Sequence, residues 1–86
     1  MLSSLIATVD SPTDKELIIQ LYNTYKQFMY NISMSILGKR EDAEDAVQDS
    51  FVRIIDNLDK INNPYSRKTK SYITVITKNV CLDMIR

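Results

Sequence analysis

The sequence predicts a small all-α domain of three helices, and three observations carry that expectation. Glycine occurs once and proline twice in 86 residues, which leaves little material for the tight turns a sheet needs. Leucine, isoleucine and lysine are frequent, a composition that favours long helices. Apolar residues recur at steps of three and four, and alternation at period two does not fit them.

The first helix has a clear start. In Ser11-Pro12-Thr13-Asp14, Ser11 reads as the N-cap and Pro12 occupies the first helical position. Asp14 falls in the first turn, where it meets the positive end of the helix dipole. Residues 1–11 before it read as a flexible tail, and residues 12–86 as the domain. Leu17, Leu21, Tyr25, Phe28, Ile32 and Ile36 then mark one buried face. Gly38 is expected to end the helix as a left-handed residue.

Lys39 and Arg40 form a short connector, and a second helix starts near Glu41 with acids in its first turns. Ala43, Val47, Phe51, Ile54, Leu58 and Ile61 make its expected buried stripe. So short a connector packs the first two helices antiparallel. Asn62-Asn63-Pro64-Tyr65-Ser66 breaks the pattern, because a residue before proline is pushed out of the helical region. Residues 60–68 read as a loop. A third helix begins between Arg67 and Lys70, with Ile73, Ile76, Val80 and Met84 inward. Lys70, Thr74, Thr77, Lys78 and Cys81 are expected on the face away from the core. This helix runs to Arg86 without a C-cap, so the chain is expected to be a piece of a longer protein.

Several classes of function are disfavoured at once. Cys81 is the single cysteine, so no internal disulfide forms. Histidine is absent and no zinc-ligand spacing occurs, so neither a metal nor another cofactor is expected. Leu2 to Val9 lacks a basic leader and is followed by Asp10, which makes a poor signal peptide. No apolar run approaches the ~20 residues of a membrane span, so a cytoplasmic protein with no membrane contact is expected.

The zero net charge conceals an asymmetry. Six cations against ten acids leave residues 1–60 at −4, and five cations against Asp83 alone leave residues 61–86 at +4. An acidic half joined to a basic half suggests two different partners, or two solvated helix faces. In the acidic half, Glu41, Asp45 and Gln48 share one helical face with Asp49 beside them. Asp45 and Asp49 lie beyond the reach of the dipole and repel each other at i,i+4. They read either as a solubilising face or as a surface for a basic partner. An enzyme is not expected, since no histidine or nucleophile joins the acids.

In the basic half, Arg67, Lys68 and Lys70 precede Lys78, with Tyr65 and Tyr72 among them. Cations for phosphates and aromatics for stacking are what single-stranded nucleic acid requires. Tyr72 reads equally as a half-buried core residue. Asn79, a polar side chain beside the inward Val80, either reaches a base edge or bonds to nearby backbone.

Taken together these residues resemble a known family. Asp42-Ala43-Glu44-Asp45-Ala46-Val47-Gln48-Asp49-Ser50-Phe51 is similar to the D-A-E-D-x-V-Q-x-x-F segment of extracytoplasmic-function (ECF) bacterial RNA polymerase sigma factors. Downstream, Lys70-Ser71-Tyr72-Ile73, then Lys78-Asn79, then Asp83 to Arg86 resembles that family's W/Y-L…[RK]-N…D…R pattern. The resemblance spans residues 13–86 and corresponds to sigma region 2.

What the resemblance implies is a non-enzymatic transcription initiation domain with two surfaces. The acidic helix would dock on the coiled coil of the β′ clamp of core RNA polymerase through Asp45, Gln48 and Asp49, with Phe51 packing inward. Residues 62–70, with Tyr72, Lys78 and Asn79, would seize the promoter −10 element and hold a non-template base flipped from the duplex. Arg67, Lys68, Lys70 and Thr74 complete the expected DNA-binding set. An anti-sigma factor covering the same faces is a further implied partner. Two positions depart from the family pattern: Thr69 stands where an aromatic often precedes the last helix, and Tyr72 replaces the usual tryptophan. Region 4, which reads the −35 element, is not in this sequence. The competing reading is a helical adaptor that binds protein only, and DNA binding separates the two.

Overall fold

A computed structural model describes residues 6–7 and 9–86. Three helices account for the architecture: α1 (Pro12–Leu37), α2 (Arg40–Asp56) and α3 (Arg67–Ile85), with a 3₁₀ turn at Leu58–Lys60. No strand occurs among the described residues.

The ends of α1 follow the local chemistry. The Ser11 hydroxyl accepts a hydrogen bond from the Asp14 N–H at 3.3 Å. Gly38 takes φ 75°, and its N–H reaches the Met34 carbonyl at 2.9 Å. A side chain there would be strained in the left-handed region. The chain then reverses, and α2 lies antiparallel to α1. Tyr30, near the connector, lines a cleft with Glu44 and Val47, while Tyr22, farther from it, packs on Phe51 at 5.2 Å between ring centres. Ser33, Ala43 and Ala46, all fully buried, are small enough to let the two helices approach near this tight link.

The core is one cluster at the centre of the three helices. Ile18, Leu21, Tyr25 and Met29 come from α1, Val47, Phe51 and Ile54 from α2, and Ile73, Ile76 and Val80 from α3. Leu58 and Ile61 close it at the loop end. The apolar period assigns these two residues to the stripe of the second helix. They are buried, but α2 stops at Asp56 and the 3₁₀ turn carries Leu58 inward. Buried hydroxyls are satisfied locally: Ser33, Ser50 and Thr77 donate to the carbonyls four residues earlier, at 2.8, 2.6 and 2.8 Å.

Three expectations about which face is buried are corrected. On α1 the deepest line is Ile18, Leu21, Tyr25, Met29 and Ser33, while Leu17, Phe28, Ile32 and Ile36 are half-buried. Because α1 touches both other helices, its buried arc is wide, and the expected stripe lies along one edge of it. On α3, Thr77 and Cys81 are fully buried rather than on the outer face, for the same reason. Met84 has the helical phase of an inward residue but is exposed, because Val80 and Cys81 are the last buried residues of α3.

Before α1, Ile6 and Val9 are partly buried against the core, and the Val9 N–H bonds to the Ile6 carbonyl at 2.9 Å. Both positions belong to the expected tail, of which residues 1–5 and 8 lie outside the described residues.

These differences in burial set an expected ranking. Phe51 is fully buried, so Phe51→Ala is expected to cost about 3–5 kcal/mol. Phe28 is half-buried, so Phe28→Ala is expected to cost less than half as much. Urea unfolding followed by circular dichroism checks both, and equal losses would contradict the observed rotation of α1.

Candidate functional site

Two surfaces of opposite charge emerge once the core is assigned. On α2 the buried residues leave Glu41, Asp45, Gln48 and Asp49 exposed together. Val52 lies on the same face, 41% exposed among the acids. Glu41 and Asp42 stand in the first turn, where the dipole favours them, and no side chain caps the helix at Lys39. Glu44 pairs with Arg40 at 3.1 Å, a contact on the exposed side of one helix that contributes a few tenths of a kcal/mol. Asp45 and Asp49 make no ion pair among the described residues. The structure thus brings Asp45, Gln48 and Asp49 onto one open face, as expected.

On α3 the predicted residues separate into three rows. Arg67, Ser71 and Lys78 share one strip of the exposed face, since eleven residues make about three turns, with Val75 and Leu82 exposed beside it. Lys68, Tyr72 and Asn79 have the same spacing and form the neighbouring row. Lys70 and Thr74 lie on the edge turned toward α1. The Lys70 ammonium sits 4.8 Å from the centre of the Phe28 ring, and the Thr74 hydroxyl donates to the Lys70 carbonyl at 2.8 Å. Asn79 is exposed beside the buried Val80, and Tyr72 is half-buried against the core.

The row of Lys68 and Tyr72 borders a groove of about 740 Å³, whose other wall is Asp59 to Asn63, with Ser66 and Thr69 at its base. The wall is built by hydrogen bonds. Ser66 caps α3 by accepting from the Thr69 N–H at 3.1 Å. The Thr69 hydroxyl donates to the Asn63 carbonyl at 2.5 Å, and the Asn63 side-chain oxygen accepts from the Tyr65 N–H at 2.9 Å. From α1, the Tyr25 hydroxyl donates to the Pro64 carbonyl at 2.7 Å. Burial raises the Tyr25 phenol above its ordinary pKa, and the nearby Tyr65 phenol adds to this, so it remains a donor at neutral pH. Tyr65 itself is 66% exposed.

An Arg53–Asp83 ion pair at 3.0 Å ties the end of α2 to the end of α3. Both partners are about half exposed, so it is worth under ~1 kcal/mol and serves register more than stability. The sequence does not single out Asp59, Lys60, Ile61 and Tyr25 as site residues, and it includes Thr69 only as part of the 62–70 segment. Tyr25 is hidden in the apolar stripe, and Thr69 stands out only as a missing aromatic. Among the described residues no group of acids and thiols is placed to hold a metal, and no helix is long and apolar enough to cross a membrane.

The chain is similar to known proteins over most of its length. Residues 21–86 match the family model described as sigma-70 region 2. The ECF RNA polymerase sigma factor SigW of Bacillus subtilis (strain 168) is 29% identical over 73 residues, which cover 85% of this chain and 38% of that protein. The RNA polymerase sigma factor SigV of the same organism is 27% identical over 74 residues, covering 86% of this chain and 43% of that protein. The chain therefore spans about two fifths of the length of these curated relatives. No solved structure gives a significant match.

The open acids make a prediction about the fold. Replacing both Asp45 and Asp49 by Asn removes an i,i+4 repulsion and breaks no pair, so unfolding free energy is expected to hold steady or rise by about 0.5 kcal/mol. A loss above about 1 kcal/mol in urea unfolding would instead make these acids part of the fold's support.

Proposed function

The chain belongs to the sigma-70 region 2 family, and on that premise we propose that it binds core RNA polymerase through α2 and engages the promoter −10 element through α3 and the loop before it. The carrying observation is the pairing, on one small bundle, of an acidic face and a groove edged by cations, neither of which is ion-paired among the described residues. The division of charge suits two simultaneous partners, one basic and one polyanionic.

In this reading Asp45, Gln48 and Asp49 meet basic residues of the β′ clamp coiled coil, with Val52 as an apolar contact among them. Arg67 and Lys78 hold phosphates along one strip of the exposed face of α3, and Lys70 and Thr74 flank them on the α1 side. Lys68 and Tyr72 line the groove, where a non-template base turned out of the duplex would lodge, and Asn79 lies about two turns further along α3. Unstacking a base costs a few kcal/mol, which pocket and phosphate contacts must offset. The work is binding without catalysis, needs no cofactor, and belongs in the cytoplasm with the polymerase. An anti-sigma factor that covers either face would block it. One observation favours the protein-only adaptor instead: Val75 and Leu82 are exposed, at 55% and 42%, on the outer side of α3. DNA binding decides between them.

The test is a pull-down of core polymerase by this chain, followed by binding of the complex to single-stranded −10 oligonucleotides and to the matching duplex. The single strand is expected to bind more tightly, because a duplex must first unpair. With three or four of the cations on phosphates, log K against log salt is expected to slope at about −2 to −3. Lys78→Ala is expected to weaken all sequences alike and make the slope shallower by about 0.7. Asn79→Ala is expected to keep the slope and relax preference at one base. Asp45→Lys with Asp49→Lys is expected to abolish polymerase binding at unchanged helicity, through lost complementarity and new repulsion. A complex that bound no DNA would overturn the proposal in favour of the adaptor.

A further inference from the structure

The loop bordering the groove is held from two helices at adjacent carbonyls. Tyr25, near the middle of α1, donates to the Pro64 carbonyl at 2.7 Å across 39 residues of sequence. Thr69, in the first turn of α3, donates to the Asn63 carbonyl at 2.5 Å. Both side chains are almost fully buried, at 5% and 4% exposure, while Asn62, Asn63 and Tyr65 are exposed. Tyr25 is an aromatic core residue whose one polar atom is spent on the loop rather than on solvent. A phenylalanine at this position would fill the same volume and lack only that bond, so packing alone does not require a tyrosine.

Resting on the reading of the groove as the base site, we propose that Tyr25, from outside the groove, and Thr69, from its base, are positioning residues that fix the shape of the Asn62–Tyr65 segment for base discrimination. A loop carrying functional side chains discriminates only if its backbone is held before the ligand arrives, since ordering it on binding consumes affinity. Two hydrogen bonds to successive carbonyls remove the freedom of the peptide planes that flank Pro64. The exposed edge is then presented as a rigid wall facing Lys68 and Tyr72. Phosphate binding by Arg67 and Lys78 lies on the helix and does not depend on the clamp. Discrimination and general affinity are therefore separable in this domain.

The experiment uses the 86-residue chain bound to core polymerase and a pool of single-stranded 12-mers randomised at every position, with enrichment read by sequencing. Affinity for oligo(dT) and its salt slope are measured alongside. Tyr25→Phe and Thr69→Val are each expected to reduce base preference about three- to tenfold, the equivalent of one hydrogen bond. For Tyr25→Phe, which lies outside the groove, oligo(dT) affinity is expected to change less than about twofold, with the slope unaltered. Thr69→Ser, which keeps the hydroxyl, is expected to retain the preference. Hydrogen exchange at the Tyr65 and Ser66 amides of the free chain is expected to quicken in Tyr25→Phe and Thr69→Val while exchange in the centre of α2 stays unchanged. Unchanged preference and unchanged loop exchange in both variants would overturn the clamp and leave the promoter reading standing. Equal loss of preference and oligo(dT) affinity would overturn it as a merely structural role. A parent complex with no base preference would overturn the promoter reading and the clamp with it.

Discussion

Everything in this bundle depends on α1 being covered from two sides. A 26-residue helix is about 39 Å long, and its apolar arc spans more than one neighbour can bury. Helix α2 takes one flank, where Tyr22 meets Phe51, and α3 takes the other, where Lys70 lies over Phe28. The deepest line of α1 runs between them. Because all three helices turn their apolar sides to that line, the charged residues are left on the outer faces of α2 and α3. The polar surfaces that give the domain its chemistry are thus a consequence of how the core closes.

Charge separation follows from the same geometry. The acids of α2 and the cations of α3 sit on different helices, and Arg53–Asp83 is the one ion pair that joins those helices among the described residues. A bundle optimised only for its own stability would pair more of them. That Asp45, Asp49, Arg67, Lys68 and Lys78 have no ion pair among the described residues costs little in water, where each is well solvated. It keeps them available for partners, whose contacts would exclude that water and strengthen each interaction.

The segment between α2 and α3 is where fold and site meet. Leu58 and Ile61 are core residues, yet Ile61 also stands on the far wall of the groove from Tyr72. The Asn-Asn-Pro-Tyr stretch is irregular, and its backbone groups are satisfied by side chains reaching in from α1 and α3 rather than by a ladder of their own. An irregular segment is therefore held in a defined shape without secondary structure, as a surface that must fit a ligand requires.

Local chemistry makes much of this fold legible in the sequence. Ser11, Pro12 and Gly38 mark the bounds of the first helix because capping and backbone preference act within a few residues. The apolar period discloses three helices, and the spacing of Asp45, Gln48 and Asp49 puts them on one face. What escapes is whatever depends on residues far apart in the chain. Periodicity gives a stripe but not the breadth of an arc shared by two neighbours, so it sets Phe28 too deep and Thr77 and Cys81 too shallow. Nor does it say where a bundle ends, which leaves Met84 on the wrong side of the surface. The pattern locates the loop but not its clamp, because the bond from Tyr25 to Pro64 crosses 39 residues and exists only once α1 and α3 have packed. The helices, the caps of the first and the sign of each face are written in the chain itself, since short-range forces set them. The rotation of each helix and the shape of the groove arise only on packing, because they are properties of several segments meeting at once.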